Sequence, residues 1–200
     1  MTFSYLALGD SYTIGELVPL YDSFPYQTVQ LFRKNGLSFN APEILAKTGW
    51  TTDELIEGVR QTSFLPHYNL VSLLIGVNNQ YRGRSISEFE TELDFLLQTA
   101  IRFAGNEPWR VFVFSIPDWG ITPFASGRDA SGIAAEIDEY NEVCKRRALH
   151  FQANYIEITN SQRQDGREED FLAPDGLHPS GKEYAKWAAK FSKLALQTLK

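Results

Sequence analysis

The sequence predicts an α/β fold, a three-layer α/β/α sandwich built on a five-stranded parallel sheet. Three observations carry that expectation. Five short apolar runs have the composition of strands buried on both faces. Amphipathic helical patterns alternate with them. The chain has 200 residues and 43% hydrophobic content, enough for one sizeable core. Strands that alternate with helices of this length call for right-handed crossovers, which place helices on both faces of the sheet. No internal repeat, low-complexity tract or linker interrupts the pattern, so residues 1–200 are expected to form a single domain.

The strands are expected at Tyr5 to Leu8, Glu43 to Ala46, Leu70 to Ile75, Val111 to Ile116 and Tyr155 to Ile158. A first helix is predicted from Pro25 to Asn35, with Gly36 as its C-terminal stop. A second opens on the capping box Thr51-Thr52-Asp53-Glu54 and ends near Arg60. The third is expected to start at Ser87, with Glu90 three residues on, and to place Phe89, Leu93, Leu96, Leu97, Ala100 and Ile101 on one face. Ile133, Ile137, Tyr140, Cys144 and Ala148 repeat the spacing in a fourth. Ser180 caps the last, which carries Tyr184, Trp187, Ala188, Phe191 and Leu194 inward. Pro117 to Ser131 and Thr159 to Pro174 read as irregular loops.

Charge and composition narrow the function. The 19 Lys and Arg stand against 25 Asp and Glu, a net charge of −6, so a surface built to neutralise phosphate backbones is not expected and nucleic acid is not an expected partner. A single cysteine, Cys144, allows no intramolecular disulfide. The longest apolar run, Leu70 to Val77, is too short to span a bilayer. The N-terminus shows no signal-peptide pattern, so the chain as written is expected in the cytoplasm; a leader cleaved beforehand would leave the same chain.

In parallel α/β sheets the ligand site lies beyond the carboxyl ends of the strands, so residues just after each strand are the ones to inspect. After the first comes Gly9-Asp10-Ser11-Tyr12, a turn that would present a hydroxyl at the sheet edge. After the second comes Gly49, and after the third Gly76-Val77-Asn78-Asn79. Glycine lets a backbone N–H approach a ligand closely, and asparagine adds a neutral donor of the kind that stabilises an oxyanion. Ahead of the last helix stands Asp175-Gly176-Leu177-His178, a spacing that lets a carboxylate in a turn accept a hydrogen bond from the imidazole Nδ1–H and leave Nε2 free as a base. Each segment alone is an ordinary turn or cap. Together they supply a nucleophile, a base, an orienting acid and oxyanion donors on one rim.

These blocks resemble the SGNH, or GDSL-type, hydrolases. Gly9-Asp10-Ser11 matches the nucleophile block, Gly49 the glycine block, Gly76-Val77-Asn78-Asn79 the GxND block and Asp175-Gly176-Leu177-His178 the DxxH block, in the family's order from residue 9 to 178. The departures are Tyr12 in place of the leucine of GDSL and Asn79 in place of the aspartate of GxND. The resemblance implies a flavodoxin-like sandwich and a serine esterase acting on small or medium acyl esters, with lysophospholipase, thioesterase and carbohydrate acetylesterase as options. In it Ser11 attacks the ester, His178 moves the proton and Asp175 orients His178. The backbone N–H groups of Ser11 and Gly49 and the Asn78 side chain would hold the oxyanion. No cofactor or metal is implied, and a monomer or a homodimer would serve.

Asp10, Asn79, Tyr81, Arg82, Trp119 and Phe124 are the expected substrate contacts, because they follow the first, third and fourth strands; Gln80 is placed similarly. His67 and His150 read as surface residues, and three scattered histidines do not make a metal site. Two other functions remain at this point. A metal-dependent phosphoesterase would use Asp10, Asn78, Asp175 and His178 as ligands, which leaves Ser11 without a role. A binding module would keep the fold without the chemistry.

Overall fold

The computed structural model describes residues 2–199. In chain order the elements are β1 (Tyr5–Asp10), α1 (Ser11–Ile14), α2 (Phe24–Lys34), β2 (Glu43–Lys47), α3 (Thr52–Gln61), β3 (Leu70–Leu74), α4 (Val77–Tyr81), α5 (Ile86–Phe103), β4 (Val111–Phe114), α6 (Ala130–His150), β5 (Asn154–Ile156), α7 (Thr159–Asp165) and α8 (Gly181–Ala195). All neighbouring strands pair in parallel in the order β2-β1-β3-β4-β5. Chain direction reverses across the sheet between β1 and β3, and such a switch point opens a crevice at the carboxyl edge.

The central strands are apolar throughout because both faces are covered: every residue of β1, β3 and β4 is buried. On one face α2 packs on α8, where Phe32 and Phe191 meet edge to face and Phe191 lies against Tyr5, Phe112 and Phe114. On the other, α5 packs between α3 and α6, with Phe89 against Tyr140. Cys144 sits in this core, and burial pushes its thiol up to about 12, so it is an inert apolar filler. No helix among the described residues is long and apolar enough to cross a membrane.

The helix caps follow the sequence with one shift. The Thr51 N–H donates to Glu54 Oε2 at 2.9 Å, completing the capping box of α3. Ser180 Oγ accepts from the Lys182 N–H at 3.2 Å at the start of α8. The α5 cap is Ser85 rather than Ser87: Ser85 Oγ accepts from the Glu88 N–H at 3.2 Å, which puts Ser87 inside the first turn. The stretch expected to be irregular after residue 159 contains α7, whose TNSQRQD sequence has no apolar period to announce it. Between residues 117 and 131 the chain makes two 3-10 turns, Trp119–Ile121 and Pro123–Ala125, tied down by Asp118 Oδ1 accepting from the Gly120 N–H at 2.9 Å.

Gly76 ends β3 at φ +127°, a conformation side chains rarely adopt, and a Cβ there would stand 2.7 Å from the Phe89 ring. Only glycine lets the chain leave β3, clear α5 and enter α4 with Asn78 at the rim.

Candidate active site

Four segments far apart in the chain converge at the carboxyl edge around β1 and β3. Ser11 is the first residue of α1, capped by Asp10, whose Oδ1 accepts from the Tyr12 N–H at 3.0 Å. Its hydroxyl lies 3.0 Å from His178 Nε2 across 167 residues of sequence. His178 Nδ1 in turn lies 2.6 Å from Asp175 Oδ2. The turn that holds the acid is made by the acid itself, since Asp175 Oδ1 accepts from the Leu177 and His178 N–H groups, both at 3.0 Å. One carboxylate oxygen therefore builds the loop and the other faces the imidazole.

Partial burial would raise the Asp175 carboxyl, but hydrogen bonds from the His178 ring and from the His178 and Leu177 N–H groups outweigh it and hold the pKa below the ordinary value. Asp175 is thus an anion near neutrality, and its acceptor oxygen selects the tautomer with the proton on Nδ1. Both Ser11 and His178 are buried, and the Tyr12 ring supports the imidazole at 5.0 Å.

Two neutral donors stand beside the Ser11 hydroxyl. Gly49, at φ +81°, lines the same pocket, and among the described residues its N–H has no acceptor. Asn78 Nδ2 donates to Trp50 O at 3.0 Å and more weakly to Asp10 Oδ2 at 3.4 Å. Arg82 fixes the other side of the loop by donating to Gly49 O at 2.7 Å while pairing with Glu54 at 3.2 Å.

The pocket over Ser11 has a volume of about 190 Å³. Its walls are largely apolar, with Val77, Leu177, Tyr81, Trp119 and Phe124 among the lining residues. The Trp119 ring is locked, because its Nε1–H donates to Gln80 Oε1 at 2.7 Å and Gln80 donates to Glu136 Oε2 at 2.7 Å.

Three of the expected substrate contacts are corrected by this geometry. Asp10 is fully buried behind Ser11. Asn79 points into the core, where it accepts from the Thr52 N–H at 3.1 Å and donates to Thr52 Oγ1 at 2.6 Å. Arg82 is a strut on Gly49 and Glu54 and does not line the pocket. Gln80 is likewise a buried brace for Trp119. Tyr81, Trp119 and Phe124 do line the pocket, joined by Tyr12, Val77 and Leu177, which the sequence named only as motif positions, and by Thr48, which adjoins Gly49. His67 and His150 are exposed. Among the described residues no group of three or more His, Cys, Asp or Glu could hold a metal ion.

Residues 7–186 match the model of the GDSL-like lipase/acylhydrolase family. The chain belongs to that family. It is accordingly a hydrolase of carboxylic esters. No curated protein matches the chain. Solved structures share the GDSL hydrolase fold at low identity. The crystal structure of TesA is 16% identical over 100% of this chain and 98% of that one, with a TM-score of 0.70. A lipase/acylhydrolase from Enterococcus faecalis is 20% identical over 96% and 94%, with a TM-score of 0.74. Axe2, an acetylxylan esterase from Geobacillus stearothermophilus, is 16% identical over 96% and 94%, also with a TM-score of 0.74.

The buried carboxylate of this GDSL hydrolase has a measurable consequence. Burial pushes Asp10 up to about 7 from an ordinary value of 3.8, against the lowering effect of the Tyr12 N–H. The favourable contribution of Asp10 is then complete below 3.8, where folded and unfolded chains both carry the proton, and is lost as pH rises through about 7. Asp10→Asn keeps an acceptor for the Tyr12 N–H but cannot ionise. Between about pH 4 and about pH 7, urea unfolding is expected to show the wild type losing stability relative to Asp10→Asn as pH rises. Parallel stability curves would contradict that assignment.

Proposed function

We propose that the protein cleaves small or medium acyl esters through a Ser11-His178-Asp175 triad and an acyl-enzyme intermediate. The observation that carries this reading is the unbroken line of contacts, 3.0 Å from Ser11 Oγ to His178 Nε2 and 2.6 Å from His178 Nδ1 to Asp175 Oδ2, at the floor of a pocket with neutral donors beside it. His178 Nε2 takes the Ser11 proton as Oγ bonds to the ester carbonyl carbon, and the carbonyl electron pair moves onto oxygen. The Ser11 and Gly49 N–H groups and Asn78 Nδ2 stabilise that oxyanion. Collapse breaks the bond to the alcohol, which leaves with the proton held by His178. Water then attacks the acyl-Ser11 carbonyl, His178 taking its proton and returning it to Ser11 Oγ as the carboxylic acid departs.

Asn78 is already held in place by Trp50 O, and its weak 3.4 Å contact to Asp10 is the one an incoming oxyanion replaces. The hole is therefore preorganised, and such donors act most strongly where water is excluded. Asn78→Ala is expected to lower kcat by about 10²–10³ with a much smaller change in KM, because the bond forms only in the transition state.

Pocket volume supports the small-to-medium range. About 190 Å³ with apolar walls holds on the order of six water-sized groups. On p-nitrophenyl esters from acetate to laurate, kcat/KM is expected to peak at short to medium chains and to fall at laurate. A rise through to laurate would contradict the pocket as the acyl site, and wild-type activity in Ser11→Ala would remove the triad. Lysophospholipid, thioester and acetylated carbohydrate substrates all place an acyl group of this kind on a different leaving group, and Axe2, an acetylxylan esterase of similar fold, favours testing the carbohydrate acetate among the three.

A further inference from the structure

The aromatic wall of the pocket carries a cation with no carboxylate partner. The Arg128 guanidinium lies 5.3 Å from the Tyr81 ring, 5.1 Å from Trp119 and 5.7 Å from Phe124, three rings that line the same pocket as Ser11. Its side-chain hydrogen bond, a long one of 3.3 Å, goes to Tyr81 OH. Among the described residues no Asp or Glu stands within salt-bridge distance of it. The neighbouring carboxylate, Asp129, is turned away to cap α6, its Oδ1 accepting from the Gly132 N–H at 3.0 Å. Cation–π contact fixes the plane of the guanidinium and leaves its remaining N–H donors facing outward.

Arg128 also borders a groove of about 420 Å³ that runs along residues 120–130, just beyond Phe124. Arg167 lines the same groove from the other side, and it too has no carboxylate within salt-bridge distance among the described residues. In a chain of net charge −6, two unpaired arginines on one groove make a local exception to the surface charge. Guanidinium forks match carboxylate and phosphate oxygens in geometry.

We infer that the leaving-group side of the natural ester carries an anionic oxygen group, a phosphate or a carboxylate, which docks on Arg128 with Arg167 while the acyl chain enters the pocket. This rests on the esterase reading above, since it assumes that the acyl group lies over Ser11. The aromatic wall then separates two compartments, an apolar one for the acyl chain and a cationic one for the alcohol.

Two matched pairs test it: 1-butyrylglycerol 3-phosphate against 1-butyrylglycerol, and 4-butyryloxybenzoate against phenyl butyrate. The readout is the anionic-to-neutral ratio of kcat/KM, compared between wild type and variant so that the intrinsic reactivity of each ester cancels. In at least one pair Arg128→Gln is expected to lower that ratio about tenfold, mainly through KM, while Arg128→Lys retains part of it. The wild-type ratio should also shrink in about 0.5 M salt. The pair that responds identifies phosphate or carboxylate as the group. A ratio unchanged by Arg128→Gln in both pairs, on esters that are cleaved, overturns the anion site alone. Failure of the wild type to cleave any of the four would overturn the pocket assignment and this inference with it.

Discussion

Ser11→Ala is expected to hydrolyse p-nitrophenyl butyrate at least about 10⁴-fold more slowly than the wild type, leaving the residual rate that oxyanion donors and binding alone provide. The magnitude follows from the geometry. Among the described residues Oγ is the one hydroxyl in contact with His178 Nε2, it is buried, and alanine leaves the imidazole nothing to deprotonate but water. The fold should not suffer. Ser11 opens α1 through its backbone, and the cap that fixes the turn belongs to Asp10, so unfolding in urea should occur at nearly the wild-type midpoint. Steady-state rates together with the unfolding midpoint check the claim, and a large stability loss beside the rate loss would point to a structural role instead.

Asp175→Asn is expected to cost about 10⁴ in kcat by a different route. The amide oxygen can keep the Leu177 and His178 N–H bonds, so the turn survives. The atom facing Nδ1 then becomes an N–H donor. His178 must answer with a bare Nδ1 and a proton on Nε2, and that proton points at Ser11, where an acceptor is needed. The loss should fall on kcat with KM little changed, because no substrate contact is removed. A variant with wild-type kcat would show that the 2.6 Å contact is structural only.

How much of this was legible in the sequence depends on which physical signal each residue carries. Strands β1, β3 and β4 are apolar runs because both sheet faces are covered, and their positions are readable to within two residues. The convergence of Ser11, Gly49, Asn78 and His178 on one pocket was legible for a related reason: the first three follow strand ends, and the Asp175 turn that carries His178 is a local hydrogen-bond motif. Helix phase was not. Asn78 and Asn79 are adjacent in sequence but lie about 100° apart on α4, so one faces the rim and the other enters the core toward Thr52. Tyr81 stands three residues beyond Asn78, returns to the same face and lines the pocket. Helix α7 was hidden because its polar sequence has no apolar stripe, yet Thr159 and Gln162 on it are buried. Arg128 was hidden for another reason. It lies over three rings, Tyr81 from α4 and Trp119 and Phe124 from two 3-10 turns, and no spacing in the chain encodes that approach.

The electrostatics of the site divide along the same line. Asp10 and Asp175 are both carboxylates within reach of the reacting groups, and their environments push them apart. Burial lifts Asp10 to about 7, while the His178 and backbone donors overcome burial at Asp175 and hold it low. The carboxylate in contact with the imidazole, Asp175, is the one held ionised.

The most direct test of the central claim is covalent. Treating the protein with a serine-directed organophosphonate and locating the adduct by peptide mass spectrometry should place it on Ser11, with a labelling rate that falls sharply in Asp175→Asn and His178→Ala and an adduct that disappears in Ser11→Ala. An adduct on another residue, or equal labelling of Ser11→Ala and the wild type, would contradict the account.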